Sequence, residues 1–372
     1  MRTVVVSAPL AGHLLPLVPL AAALREAGHD VRVAAGGIPA GGTGIAVHDL
    51  VPGFEMSRIA ARILPVHPIT AWREMRGRAG TRGVGLLFGA VNAALLDPLS
   101  ELVASWRPDL IVHEPLAVAG AVAAARHGVP AVLQDNTLFD GQELVAATAA
   151  SPHLRRAARR HGVRRLPPPA LRLNNLPPSL VTGRPGQSLR PVPWSGTGEV
   201  PDWLRRPPGR PRLVVTHSTI AGAGGAAHLQ PVLAAAAGLD AEVVLVRPPS
   251  NLTVPPAVRT TGWVPLAAVL PHATAVVHHG GAGTTLGALA AGIPQLAVPG
   301  SGDRRHNSAV VSGSGAGLAV PARGITRDVL HRLLHDGHLR ANACGLRDEI
   351  AAMPGPAEVS RTITALLSRG AA

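Results

Sequence analysis

The sequence predicts an α/β protein made of two open, parallel-sheet units, and three observations carry that expectation. Short β-branched runs alternate with helical periodicity over the first half of the 372 residues. A second series of the same kind starts after Pro211. Between them, residues 166–211 are too rich in proline to continue a helix or an inner strand. Alternation of this type calls for parallel strands joined by crossover helices.

Val4, Val5 and Val6 make the first strand, and residues 15–27 follow as a helix that Gly28 ends. Residues 31–34 are the next strand. Residues 52–105 carry large side chains, among them Phe54, Met56, Trp72 and Phe88, and read as helices. A strand at 110–112, a helix at 117–126 stopped by Gly128, and a strand at 129–133 form a further β–α–β unit. The linker falls in the proline-dense stretch, near residues 195–211. Beyond it, residues 213–215, 243–246, 275–277 and 296–298 read as strands, and 226–237 and 283–291 as helices, the second ended by Gly292. The last 45 residues are helical, with a break at Met353-Pro354-Gly355-Pro356. The expected division is therefore 1–200, 201–355 and a terminal helix within 356–372. Two such units place a cleft between the carboxyl ends of their sheets, where these folds bind ligands.

Composition narrows the function classes. Apolar residues at 47% and charged residues at 15% describe a globular chain, not a disordered one. A formal charge of +13 raises nucleic acid or a membrane surface as a partner. Every basic residue is Arg, however, Lys and Tyr are absent, and the bias runs through the whole chain. The densest basic run, Arg155, Arg156, Arg159, Arg160, Arg164 and Arg165, has no aromatics interleaved for base stacking and reads as a solvated helix face. A single cysteine, Cys344, excludes an intramolecular disulfide and a Cys-based zinc cluster. The apolar run at the start is too short for a signal peptide, and no eighteen uninterrupted apolar residues occur. The expectation is a cytoplasmic protein without a membrane span or nucleic-acid partner, with homodimer formation left open.

Chemistry concentrates in four turns. The segment AVVHHGGAGTTLGALAAGIP, residues 275–294, reads as strand, turn and helix. Gly280, Gly281 and Gly283 let the backbone approach a ligand, and the helix start beyond them offers unpaired N–H groups and a positive dipole end. Thr284 and Thr285 add hydroxyls, and His278 and His279 add donors. The result is an anion site, or else a tight turn with glycines for packing; it is neither a P-loop nor a dinucleotide fingerprint. A second glycine-rich turn, residues 216–225, offers Thr216, Ser218 and Thr219 to the other side of the same anion. His13, at the carboxyl end of the first strand, suits a general base or a plain polar turn residue. Trp263 gives a flat surface for a nucleobase or a core side chain. In residues 300–307, GSGDRRHN, Asp303 can accept from sugar hydroxyls and Arg304 can donate. No Asp-x-Asp pair is present to hold a divalent metal against a diphosphate, so no metal or other cofactor is expected.

Taken together these segments resemble the family-1 glycosyltransferases of GT-B fold, above all the actinomycete enzymes that glycosylate antibiotics and other natural products. The resemblance covers nearly the whole chain. It rests on residues 9–31, 107–132, GWVPL at 262–266, HHGGAGTTLGALAAGIPQL at 278–296 and MPGPAEV at 353–359. It implies two Rossmann-like domains facing across a cleft, with the final helix crossing back to the amino-terminal one. The activity implied is inverting transfer of a deoxysugar from a dTDP- or UDP-sugar to a hydroxyl of a bulky aglycone such as a polyketide.

The residue roles that follow are implied by the resemblance. His13 matches the general base and Glu114 the acid that steadies it. His279, Gly281, Ala282, Gly283 and Thr284 match the diphosphate grip, with His278 beside them as a further donor-binding candidate, and Thr219 the opposing one. Trp263 and Val264 match the loop around the base; Asp303 and Asn307 match the sugar-facing helix start. The acceptor is expected against residues 52–90, with Phe54, Met56, Trp72 and Phe88 as its contacts and Asp140 nearby. Relatives commonly place Gln after the acid at 303, where this chain has Arg304 and Arg305. Relatives that form C-glycosides use an Asp near residue 137; here Thr137 stands there, with Asp135 and Asp140 beside it. O-transfer is favoured, and C-transfer, a catalytically silent helper and a basic nucleic-acid binder are the alternatives.

Overall fold

Apolar β-branched runs form the strands here because both faces of each sheet are covered by helices. Val4, Val5, Val6, Leu110, Ile111 and Val112 are at most 1% exposed, which is why these strands read as continuous apolar runs, not as alternating ones. The structure, a computed structural model, describes residues 1–37, 46–75, 80–196, 198–218 and 226–370. It has two compact units. The first takes in Met1–Leu176, Val181–Arg190 and Met353–Ala372, and the second Pro177–Leu180 and Pro191–Ala352.

In the first unit the strands are β1 (Arg2–Val6), β2 (Asp30–Ala35), β3 (Val47–Asp49), β4 (Leu110–His113), β5 (Ala131–Asp135), β6 (Leu171–Asn174) and β7 (Gln187–Ser188). They pair in parallel in the order β3-β2-β1-β4-β5-β6-β7. The order reverses between β1 and β4, where Val6 stands opposite His113. Connections leaving those two carboxyl ends depart in opposite directions and leave a crevice between them.

β6 corrects one expectation. The proline-dense stretch does contain an inner strand, because Leu171–Asn174 is itself free of proline and pairs on both sides. Prolines bracket this strand without entering it.

The 27-residue helix Gly80–Trp106 is long and apolar enough to cross a membrane by length and composition. In this unit it is instead the central core helix. Leu95, Leu96 and Leu99 are fully buried, and the Asn92 amide donates to the carbonyls of Phe88 and Leu116, each at 2.7 Å. Gly89 lets the neighbouring chain come close, since a Cβ there would lie 2.2 Å from Ser151 Oγ. The final helix, Pro356–Gly370, packs on Val18–Glu26 within the same unit, with Val359 and Ile363 fully buried. His29 Nε2 lies 2.9 Å from Thr364 Oγ1 at that contact.

The second unit has β8 (Arg212–Val215), β9 (Glu242–Val246), β10 (Arg259–Thr261), β11 (Ala275–His278), β12 (Gln295–Ala297) and β13 (Gly317–Ala319). These are parallel in the order β10-β9-β8-β11-β12-β13, with the reversal between β8 and β11. Arg212, only 2% exposed and at the amino end of the inner strand β8, fastens this sheet to the short helix Asp202–Arg205. Its guanidinium donates to Glu242 Oε2 at 2.8 Å and to the carbonyls of Leu204, Trp203 and His272. Removing such a buried cation's partner costs about 3–5 kcal/mol.

Candidate active site

The reversal between β1 and β4 brings His13 and Glu114 together. β1 ends at Val6, and a one-turn helix, Ala11–Leu14, lifts His13 over the crevice. Glu114 follows directly on β4 and is fully buried. His13 Nδ1 lies 3.0 Å from Glu114 Oε2. The carboxylate also accepts from the N–H of Ala8 at 3.0 Å and of Leu116 at 2.8 Å, so both its oxygens are held in place. The His13 main chain is anchored in turn, its carbonyl accepting from Asn136 Nδ2 at 3.3 Å. A carboxylate only accepts, so the neutral tautomer that fits this contact is the one with its hydrogen at Nδ1 and its lone pair at Nε2. The His13 side chain is 22% exposed, open enough to meet a substrate.

Of the expected acceptor contacts, Phe88 has its ring centroid 6.3 Å from that of His13, but it is buried in the core at 8% exposure and offers no open surface. Phe54 and Met56 pack on the core of the first unit, and Trp72 is 45% exposed. Asp140 has a structural occupation. It caps the helix Gly141–Ala149 through the Gln142 N–H at 2.8 Å and accepts from Arg172 Nη2 at 2.6 Å. Its burial would push the carboxyl up, but the Gln142 N–H and the guanidiniums of Arg172 and Arg184 outweigh that and hold it below the usual range. Asp135 is fully buried, accepting from Gly141 N–H at 2.8 Å and from Arg172 and Arg184. Burial raises its pKa against the pull of those arginines. Both carboxylates near Thr137 are thus tied into one arginine network.

In the second unit the other reversal, between β8 and β11, places Thr216, just after β8, beside the end of β11, its N–H donating to Val277 O at 3.0 Å. The helix Ala282–Ala291 begins at Gly281 with no side-chain cap, so its first N–H groups are offered to a ligand. Gly280 has φ +80°, and a Cβ there would meet Ser308 Oγ and the carbonyls of Arg304 and Val298 at 3.0–3.2 Å. Gly281 is required for another reason: a Cβ there would lie 2.5 Å from His279 Nε2. The tip of the His279 ring therefore lies against the helix start. Its Nδ1 is buried with no hydrogen-bond partner among the described residues. Burial, and then the positive surroundings of His278, Arg304, His228 and His217, push its pKa down to about 3. It stands as a neutral donor in a basic setting. Ala282 and Thr284 are half-buried at this start and Gly283 is exposed, with nothing within 4 Å of its Cβ position.

Three expected ligand residues prove structural. His278 is fully buried; its Nδ1 accepts from Gly280 N–H at 3.1 Å and its Nε2 donates to Gln295 Oε1 at 2.9 Å. It shapes the turn from behind, because a strand residue one step before the turn points into the core. Asn307 is also fully buried, donating to Gly280 O at 2.9 Å and to Asp303 Oδ2 at 2.8 Å. Val264 has its side chain in the core at 3% exposure, which leaves only its main chain for a ligand. Asp303 is exposed, at the start of the helix Arg304–Gly313. Arg304 folds across Gly300, where a Cβ would lie among its guanidinium atoms, and donates to Ser301 O at 3.2 Å. Thr216 is buried and its carbonyl lies 2.9 Å from His228 Nε2. Ser218 accepts at its carbonyl from Arg247 Nη2 at 3.3 Å. Thr219 and residues 220–225 lie outside the described residues.

Two residues escaped sequence reasoning. His228 is buried, and burial takes its pKa down to about 4; no pattern marks it, since it sits in the turn just before the helix Leu229–Ala236. Arg247 follows β9 and lies over Trp263, which is 45% exposed, at 5.2 Å from its ring centroid.

Two parallel α/β units, each with its candidate residues at the carboxyl ends where strand order reverses, are the architecture of a GT-B glycosyltransferase. Solved structures agree. SnogD from Streptomyces nogalater, a glycosyltransferase, is 35% identical with a TM-score of 0.82, covering 98% of this chain and 99% of that one. SsfS6, a Streptomyces sp. SF2575 glycosyltransferase complexed with thymidine diphosphate, is 29% identical with a TM-score of 0.83, covering 98% and 99%. Among curated proteins, the elloramycin glycosyltransferase ElmGT of Streptomyces olivaceus is 36% identical, over 97% of this chain and 96% of its own length. Residues 22–218 match the family described as "Erythromycin biosynthesis protein CIII-like, N-terminal domain" and residues 230–366 its "C-terminal domain". The chain belongs to this erythromycin biosynthesis protein CIII-like family, and it is a nucleotide-sugar-dependent glycosyltransferase.

Proposed function

We propose that this enzyme transfers a deoxysugar from a dTDP-sugar to a hydroxyl of a polyketide-like aglycone, with inversion, and that His13 is the general base. The observation that carries the reading is the His13–Glu114 pair, a half-buried imidazole steadied by a fully buried carboxylate. His13 Nε2 takes the proton as the acceptor oxygen attacks the anomeric carbon. The bond from that carbon to the diphosphate oxygen breaks, and the departing dTDP carries the negative charge. That charge is met by the uncapped start of the helix Ala282–Ala291 and by His279. Phe88, buried in the core, backs the His13 ring from behind.

The choice of dTDP follows SsfS6, whose structure holds thymidine diphosphate; the choice of an antibiotic aglycone follows ElmGT. Arg304, in the place where relatives commonly carry Gln, bears on which sugar is taken. The test is mass spectrometry of products from a panel of dTDP-deoxysugars and UDP-glucose with hydroxylated polyketide aglycones. The expected product is an acid-labile O-glycoside formed from a dTDP-sugar. An acid-stable C-glycoside, or turnover with UDP-glucose alone, contradicts the reading.

A further inference from the structure

Arg247 stands where three pieces of the second unit meet. Its backbone takes φ +52°, a left-handed conformation that costs a non-glycine residue roughly 1 kcal/mol or more. The conformation is held from both sides: its N–H donates to Thr261 O at 2.8 Å, and its carbonyl accepts from His217 Nε2 at 2.6 Å. The side chain continues the same clamp. Nη2 donates to Ser218 O at 3.3 Å, and the guanidinium lies 5.2 Å from the centroid of the Trp263 ring.

The strand order makes sense of this. β9 lies between β10 and β8, so a residue at its carboxyl end is between Trp263, just beyond β10, and the loop that leaves β8. A guanidinium over an indole contributes about 0.5–2 kcal/mol and fixes the plane of the ring. The edge of that ring also packs on Gly198, where a Cβ would lie 3.4 Å from Trp263 Cδ1. Trp263 nonetheless remains 45% exposed, unusual for an aromatic held by two neighbours. A held, half-open indole is a surface prepared for stacking.

We propose that Arg247 is a positioning residue for the nucleotide: it backs Trp263 so that the indole is set to stack the pyrimidine base, and it ties that platform to His217 and Ser218, just after β8. The proposal rests on the dTDP-sugar reading above. Arg247 touches no reacting atom, so its effect falls on donor binding and not on the chemical step.

The experiment compares the full-length chain with Arg247→Met, Arg247→Lys, Trp263→Ala and the Arg247→Met/Trp263→Ala double variant. Binding of dTDP is measured by titration calorimetry and of inorganic pyrophosphate by competition. Arg247→Met is expected to weaken dTDP about tenfold and to leave pyrophosphate within about twofold, because pyrophosphate has no base to stack. Arg247→Lys, which keeps the charge and loses the planar stack, should fall between. The double variant should bind dTDP no more weakly than Trp263→Ala, showing that the two act through one contact. In turnover, KM for the donor rises while kcat stays within about twofold. Unchanged dTDP affinity in Arg247→Met overturns the proposal, and so does an equal loss for dTDP and pyrophosphate. Absence of dTDP binding to the parent chain overturns the donor reading and the proposal with it.

Discussion

The carboxylate of Glu114 lies 3.0 Å from Nδ1 of His13, across 101 residues of chain, because β1 and β4 are neighbours where the strand order reverses. Neither residue is placed by its own segment; the crevice between two diverging connections places both. Glu114 meets two backbone N–H groups as well as the imidazole, so it orients the base and also pins the two loops.

Glu114→Gln should therefore separate orientation from binding. The amide presents an N–H₂ where an acceptor is needed and favours the wrong histidine tautomer. A fall in kcat of up to about 10⁴ is expected, the size found when an orienting carboxylate becomes an amide, with dTDP affinity unchanged. Steady-state kinetics and dTDP titration on one preparation check this.

At the glycine turn, two adjacent alanine substitutions should behave differently. Gly280→Ala forces a Cβ into a left-handed position against the carbonyls of Arg304 and Val298, so about 1–3 kcal/mol of stability is lost. Gly281→Ala meets only the ring of His279, which can swing aside. That variant should keep its unfolding midpoint and lose dTDP affinity. Thermal denaturation and calorimetry distinguish the two.

The acid side of the stability profile follows from the buried histidines. His278 and His228 are pushed down to about 4 and His279 to about 3, in each case first by burial. The unfolded chain takes up these protons below the ordinary value of 6.5, whereas the folded chain does not. Stability is thus complete above about pH 6.5 and is lost progressively as the pH falls toward 4. Replacing buried His278 with Gln should flatten that decline, measured as midpoint against pH from 4.5 to 8, roughly the window over which histidine titrates.

Charge on the departing diphosphate is assigned to the helix start and His279. Two results follow. Turnover should survive EDTA within about twofold, and His279→Ala should lower kcat/KM by about 10²–10³, the range for losing one donor to a developing anion. A chelator-sensitive rate would require a metal that this assignment leaves out.

Much of this was legible in the residues, for reasons the structure makes plain. Buried parallel strands must be continuous apolar runs, so β1, β4, β8 and β11 announce themselves. Gly128 and Gly292 end their helices with φ +66° and +67°, and only glycine takes that conformation without strain. What escaped is decided by tertiary contact. β10, Arg259–Thr261, has no apolar residue and exists through its pairing with β9. His278 and His279 are adjacent and alike in sequence, yet strand geometry turns one into the core and leaves the other on the helix start. Asn307 likewise carries the right chemistry for a sugar and uses it on Gly280 and Asp303. Arg247 gives no signal in sequence, because its importance lies in contacts with residues at the ends of two neighbouring strands, β8 and β10.

The most direct measurement is turnover of His13→Ala with a dTDP-deoxysugar and an accepted aglycone, alongside its affinity for dTDP. kcat is expected to fall by about 10³ or more, in the upper range for loss of a general base, while dTDP binds as to the parent. Product formed at an undiminished rate, with the same dTDP affinity, would contradict His13 as the base.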